Sequence, residues 1–411
     1  METLRGAMII CQSGGPTAVI NASVYGAIRT ALDADCITRV YGGHYGIKGV
    51  LNDELFIMDY EDDKELERLL YTPSSALGSC RYKLASPEQD DTDFKRIYEI
   101  FRKYDVRYFC YNGGNDSMDT CDKIQRYMAR VGYECRIMGI PKTVDNDLVG
   151  TDHCPGYGSA AKYIATSMME AARDAHVYEA GTVLVVECMG RHAGWLTAAA
   201  TLANINEPCC DYVYLPEVAF DMDKFLEDVR SCYERHGNCV VAVSEGIKYA
   251  DGSFVADGGS KSDAFGHAQL GGVAVFLAAK IKEKLGYKVR PLELSLLQRS
   301  ASHLASLTDI REAEAAGKAA VQWMIEGRTG EMVLFDCKRE NGRYSCEMKG
   351  IDLSEVANFE KPFPLEWLNE DCNKVMPQFT EYALPLIQGE TTVEKENGLP
   401  RFALLKRLYA R

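Results

Sequence analysis

The chain alternates short apolar runs with longer stretches in which apolar residues recur every three or four positions. Short apolar runs bounded by Gly and polar residues read as strands buried on both faces. A 3.6-residue period reads as amphipathic helix. Strands are predicted over 7–11, 38–41, 108–111, 136–140, 182–187, 212–215, 239–244 and 288–294. Helices are predicted over 19–32, 60–70, 94–103, 117–130, 160–175, 193–204, 222–234, 268–285 and 309–326. Asp309 is the expected N-cap of the last helix and Gly327 its C′ residue. Such alternation implies an α/β protein whose largely parallel sheets are covered on both faces, with ligands at the carboxyl ends of the strands. The tail is less periodic. Segments 331–336 and 343–349 flank Glu340-Asn341-Gly342, and Asn-Gly is a hairpin turn signal.

Length and composition narrow the classes. The 411 residues suffice for two or three domains. The expected division is 1–157 with 297–330, then 158–296, then a C-terminal extension over 331–411 containing the hairpin. A net charge of −14 argues against nonspecific nucleic-acid binding, which needs a basic face. No apolar stretch is long enough to span a membrane. The first residues lack the apolar core of a signal peptide, so a cytoplasmic location is expected. The 15 cysteines are scattered and form no CxxC pair, which fits reduced thiols. Cys11, Cys110 and Cys188 read as small core hydrophobes. His176, His192, His236, His267 and His303 show no metal spacing and read as structural.

Chemistry concentrates at the predicted strand ends. Gly14-Gly15 opens a helix, where free N–H groups can cradle phosphate; a plain tight turn is the competing reading. Gly113-Gly114-Asn115-Asp116-Ser117 also opens a helix. There Asp116 is either a cap or a carboxylate filling the space of a longer phosphate donor. Pro141-Lys142-Thr143-Val144-Asp145-Asn146-Asp147 crowds three charges into one loop. It reads either as a charged surface loop or as a phosphate-facing Lys142, a base Asp145 kept ionised by the nearby cation, and Asp147 beside a metal. Met189-Gly190-Arg191 and Glu245-Gly246 follow further strands and suit anion and sugar-hydroxyl binding. Arg290, Gln298-Arg299 and Arg81-Tyr82-Lys83 offer more positive charge, though each alone reads as a solvated surface group.

Taken in order over about 7–326, these motifs resemble the phosphofructokinase family, and its pyrophosphate-dependent branch most. The resemblance implies two Rossmann-like parallel-sheet domains and phosphoryl transfer from pyrophosphate to the 1-hydroxyl of fructose 6-phosphate, with Mg2+ as cofactor and a homodimer or homotetramer. ATP users typically carry glycine at the places of Asp116 and Lys142. By the same resemblance Asp145 is the proton acceptor and Lys142 and Asp116 act with it. Thr143, Val144, Met189, Gly190, Arg191, Glu245, Arg290, Leu296 and Arg299 hold the sugar phosphate, and Gly14 and Arg81 contact phosphate. Asn115 stands where many members place a magnesium-binding aspartate, so Asn115 and Asp147 are the metal candidates. Thr182 replaces an arginine that many ATP users extend to a neighbouring subunit. An ATP-dependent phosphofructokinase and a non-catalytic regulatory subunit are the alternatives on this fold.

Overall fold

The computed structural model describes residues 3–256 and 272–410. The apolar runs become strands β1 (Gly6–Gln12), β2 (Ile37–Gly43), β3 (Leu55–Ile57), β4 (Val106–Gly113) and β5 (Arg136–Pro141). They continue as β6 (Val183–Cys188), β7 (Tyr212–Tyr214), β8 (Cys239–Ser244), β9 (Val289–Glu293), β10 (Glu331–Glu340) and β11 (Arg343–Asp352). Two sheets carry the site. One has seven strands in the order β11-β10-β5-β4-β1-β2-β3, the other four in the order β7-β8-β6-β9. In the larger sheet β2, β1, β4, β5 and β10 run parallel, and β3 and β11 close the edges antiparallel. The smaller sheet is parallel throughout. Strands β1, β5, β6 and β8 are buried along their whole length, and β4 is buried except at Arg107, as their largely apolar runs require.

Helices Ile20–Leu32 and Leu307–Ile325 pack against each other beneath the larger sheet. A Cβ on Gly26 would lie 2.2 Å from the Glu314 carbonyl, and one on Gly317 would lie 1.9 Å from the Ser23 carbonyl. Only glycine permits that crossing.

Three expectations change. The 60–70 stretch is not one helix but 3-10 turns flanking Asp63–Arg68. The 193–204 stretch is a short α-helix, Trp195–Ala199, running into a 3-10 segment. Asp309 does not cap its own helix. Ser306 does, with its hydroxyl accepting from Asp309 N–H at 3.4 Å. Asp309 instead accepts from the N–H groups of Gly156 and Ser159, both at 2.9 Å, and so caps helix Tyr157–His176. The predicted helix over 268–285 is seen as Val273–Leu285 with Gly272 before it, residues 268–271 and His267 lying outside the described residues.

The tail ties the two sheets together. After β11, Phe363, Trp367, Phe379 and Tyr382 pack in tilted and edge-to-face contacts around Trp195 and Tyr157 beside the smaller sheet. The chain then returns to β3, where Ala410 N–H donates to the Leu55 carbonyl at 2.8 Å and Arg401 pairs with Glu65 at 2.8 Å. All fifteen cysteines are free thiols. Among the described residues no helix is long and apolar enough to cross a membrane.

Candidate active site

The loops leaving β1, β4 and β5 lie side by side because these strands are neighbours and parallel. Backbone bonds fix them: Ser13 N–H donates to Asn112 O at 2.9 Å, and Lys142 N–H to Gly113 O at 3.1 Å. The 78–83 segment joins them, with Gly14 N–H donating to Cys80 O at 3.2 Å and the Ser79 hydroxyl to Gly14 O at 2.6 Å. This brings Arg81 to the cluster, along with Lys83, which pairs with Asp116 at 3.4 Å.

Gly14 and Gly15 form a cradle under two cations. Gly14 has φ of 74°, a left-handed conformation that favours glycine. A Cβ on Gly14 would stand 3.0 Å from Lys142 Nζ, and one on Gly15 would stand 2.8 Å from Arg299 Nη1. Lys142 is buried, and its ammonium donates to the Gly15 carbonyl at 2.7 Å. Burial pulls its pKa down to about 8, although Asp145 and Asp147 oppose the fall.

Asp145 behaves differently from the sequence expectation. Burial first, then the like charges of Asp147 and Glu245, raise its pKa to about 7. Lys142 and Arg299 pull the other way without prevailing. The carboxyl is therefore poised near neutrality rather than held firmly ionised, which suits a general base. Asp147 is also raised, by burial and by Glu360. Between the two aspartates Asn146 adopts φ of 58° and is pinned on both sides. It donates to the Tyr382 hydroxyl at 2.8 Å and accepts from Cys154 N–H at 2.9 Å. Thr143 Oγ1 accepts from Asp145 N–H at 3.1 Å. Val144 turns its side chain into the apolar core.

The smaller sheet supplies the facing wall. Loops after β6 and β8 meet: Gly190 N–H donates to Glu245 Oε1 at 3.3 Å, and the Ser244 hydroxyl to Gly190 O at 2.5 Å. Buried Gln298 accepts from Met189 N–H at 3.1 Å, so it positions this loop rather than adding phosphate charge. Arg191 and Arg299 lower the Glu245 carboxyl, yet burial leaves it raised. Arg299 also interacts with Asp145 and Arg81, and so touches both walls electrostatically.

Arg290 is not brought to the cleft within one chain, whereas Leu296 shares a turn with Arg299. Arg290 lies opposite Leu184, near the starts of β9 and β6. Cys188 lies four positions beyond Leu184, roughly 13 Å of strand. The Arg290 guanidinium pairs with Asp174 at 2.6 Å and lies over Tyr178. Leu296 is exposed on the 3-10 turn Ser295–Arg299.

For a metal, the informative atom is Asn115 Oδ1, a buried oxygen with no hydrogen-bond donor. Such an orphan needs a partner, and a hard cation or its water fits an amide oxygen.

The sequence reading missed the tail's part in the site. Lys361 N–H donates to Asp147 O at 2.7 Å, and its ammonium donates to Thr151 O and Asp152 O at 3.1 and 2.8 Å. Glu360 bridges to Leu148. A charged pair in a Pro-flanked stretch gives no periodic signal, so only the three-dimensional path reveals it.

The phosphofructokinase family profile matches residues 7–324. The pyrophosphate–fructose 6-phosphate 1-phosphotransferase of Xanthomonas campestris pv. campestris is 46% identical, over 98% of this chain and 97% of its own. The enzyme of the same name from Halomonas elongata is 45% identical, over 96% and 95%. The crystal structure of the pyrophosphate-dependent phosphofructokinase of Nitrosospira multiformis superposes with a TM-score of 0.90 at 40% identity, covering 99% of this chain and 98% of that one. Matched along nearly its full length in sequence and in fold, with its charged loops gathered at the ends of parallel strands, the chain belongs to the phosphofructokinase family.

Proposed function

We propose that this enzyme transfers a phosphoryl group reversibly from magnesium pyrophosphate to the 1-hydroxyl of fructose 6-phosphate, giving fructose 1,6-bisphosphate and phosphate. The observation that carries the reading is the Gly14-Gly15 cradle under Lys142 and Arg299, with Asp145 poised near neutrality beside them. Asp145 takes the proton of the 1-hydroxyl as that oxygen attacks the terminal phosphorus, and phosphate leaves. Lys142, Arg299 and Arg81 balance charge on the transferring group, so catalysis is chiefly positioning and electrostatics. Asp116, held by Lys83, places negative charge and bulk where the α-phosphate of ATP would lie. The loop of Met189, Gly190 and Arg191, with Glu245, holds the sugar phosphate. Asn115 and Asp147 are the residues proposed to hold Mg2+, directly or through water. When bound, that ion neutralises pyrophosphate charge. Arg290 enters through a second copy of the chain in a homo-oligomer, since its strand carries it away from its own cleft.

The deciding experiment compares donors on purified protein. Turnover with pyrophosphate and none with ATP is expected. Turnover with ATP and none with pyrophosphate overturns the assignment.

A further inference from the structure

Cys337 and Cys346 stand directly opposite each other across the β10–β11 hairpin. The two-residue turn makes Glu340 and Arg343 the first hydrogen-bonded pair. Pairs alternate from there, so the cysteines occupy a non-hydrogen-bonded position, where Cα atoms lie about 4.5 Å apart. That separation falls inside the range of roughly 4.4–6.8 Å that a disulfide spans. Both thiols are half-buried rather than sealed in the core.

The surroundings of the two sulfurs differ. His153 Nδ1 lies 3.8 Å from Cys337 Sγ and the Tyr344 hydroxyl 3.4 Å from it. The buried His153 ring sits between Asp152, 3.0 Å from Nδ1, and Glu312, 2.8 Å from Nε2. Burial opposes its charge, but hydrogen bonds to Asp152, Cys337 and Glu312 outweigh that and keep it protonated. Hydrogen bonding from Cys346, then from His153, brings the Cys337 thiol down to about 6 against the effect of burial. Cys346 is raised instead, chiefly by its hydrogen bond to Cys337. An acidic thiol beside a cation, partly exposed, with a second thiol opposite, is the arrangement of redox-responsive cysteines.

We propose that Cys337 and Cys346 form a reversible dithiol–disulfide site, with Cys337 the peroxide-reactive sulfur, His153 its stabilising cation and Cys346 the resolving thiol. The Cys337 thiolate attacks one oxygen of hydrogen peroxide. The O–O bond breaks, Cys337 becomes a sulfenic acid, and the departing hydroxide takes a proton to leave as water. Cys346 sulfur then attacks Cys337 sulfur and displaces hydroxide, which leaves as a second water with the Cys346 proton. Two thiols are oxidised by two electrons in all, and one peroxide is reduced to two waters. A dithiol reductant restores the pair. Donor atoms of Asp152, His153 and Cys337 all lie within 4.8 Å, as metal ligands can. However, the imidazolium and Arg339, bound to Asp152 through two hydrogen bonds of 2.7 and 2.8 Å, already place two cations there and disfavour a third. The site also adjoins the catalytic loop, because the Tyr382 hydroxyl joins Asn146 to the Asp152 carbonyl.

The test treats the reduced full-length protein with equimolar hydrogen peroxide, alkylates the remaining thiols and maps the peptides. A disulfide joining 337 to 346 is expected, with the loss of two hydrogens per chain and recovery in dithiothreitol. In Cys346→Ser, Cys337 should accumulate as a sulfenic acid that dimedone traps. At pH 6.5 iodoacetamide should label Cys337 about tenfold faster than Cys372, the thiolate fraction being partly offset by lower nucleophilicity, and His153→Gln should narrow the advantage. Labelling of Cys337 no faster than Cys372 in the wild type overturns the proposal. So does a peroxide-treated chain without the 337–346 link, or stoichiometric zinc that co-purifies and protects both thiols.

Discussion

Replacing Asp145 by Asn should abolish most turnover and at the same time stabilise the ligand-free protein above neutral pH. The wild-type carboxyl moves from an ordinary 3.8 to about 7 because burial, Asp147 and Glu245 all disfavour its charge. At about 1.4 kcal/mol per pH unit, that placement costs the folded protein at most ~4 kcal/mol once the group is ionised. A raised carboxyl is fully tolerated below its unfolded pKa, and its penalty grows as pH rises through the folded value. The gain from Asn is therefore only about 0.5 kcal/mol at pH 4 and reaches its ceiling near pH 8. Solvent in the cleft screens part of it, leaving roughly 1–3 kcal/mol, or about 1–3 °C in Tm for a chain of this length. Scanning calorimetry of both proteins at pH 4, 6 and 8 measures the difference. In the same preparation kcat should fall by about 10²–10⁴ with KM for the sugar phosphate little changed. A Tm difference that is constant across pH, or wild type the more stable at pH 8, would refute the burial argument. Unchanged kcat would refute the base assignment.

Three further outcomes can be measured. The kcat/KM profile should be bell-shaped, rising as Asp145 loses its proton near 7 and falling as Lys142 loses its own near 8; stopped-rate assays between pH 5 and 10 read both limbs. Asp147→Asn removes one of the charges raising Asp145, so the acid limb should move down by about one pH unit, whereas an upward shift contradicts the repulsion. Tyr382→Phe takes away the hydroxyl that links Asn146 to Asp152; denaturant unfolding should show a loss of about 1–2 kcal/mol, accompanied by a lower kcat.

Much of the site was legible because it is local. The glycines and charges at 14–15, 113–117 and 142–147 follow strands whose apolar runs are continuous, so their place at the strand ends follows from the α/β pattern. What the sequence could not supply was distance in space. Asp309 has the look of an N-cap, and it is one, but for a helix that begins 152 residues earlier at Tyr157. The charge state of Asp145 depends on the sum of burial and Glu245 against Lys142, and no spacing rule weighs those terms. His153 was overlooked since a lone histidine in a loop carries no pattern, while its partners Glu312 and Cys337 lie far along the chain. Lys361 and Tyr382 belong to the aperiodic tail, and their hold on the catalytic loop appears only when that tail is seen to cross it.

The place of β10 in the larger sheet also has a consequence for synthesis on the ribosome. Strand β5 ends at Pro141, but its outer neighbour is built from Glu331–Glu340 and covered by Arg343–Asp352. About 200 residues must be made in between, which takes roughly 10–40 s at 5–20 residues per second. Throughout that interval a mostly apolar strand presents an unpaired edge, the kind of surface that invites pairing with another chain. The smaller sheet draws all its strands from Val183–Glu293 and can close first, although its residues emerge later. The nascent enzyme therefore completes its second sheet before its first, and its period of greatest exposure to aggregation ends only when the hairpin arrives.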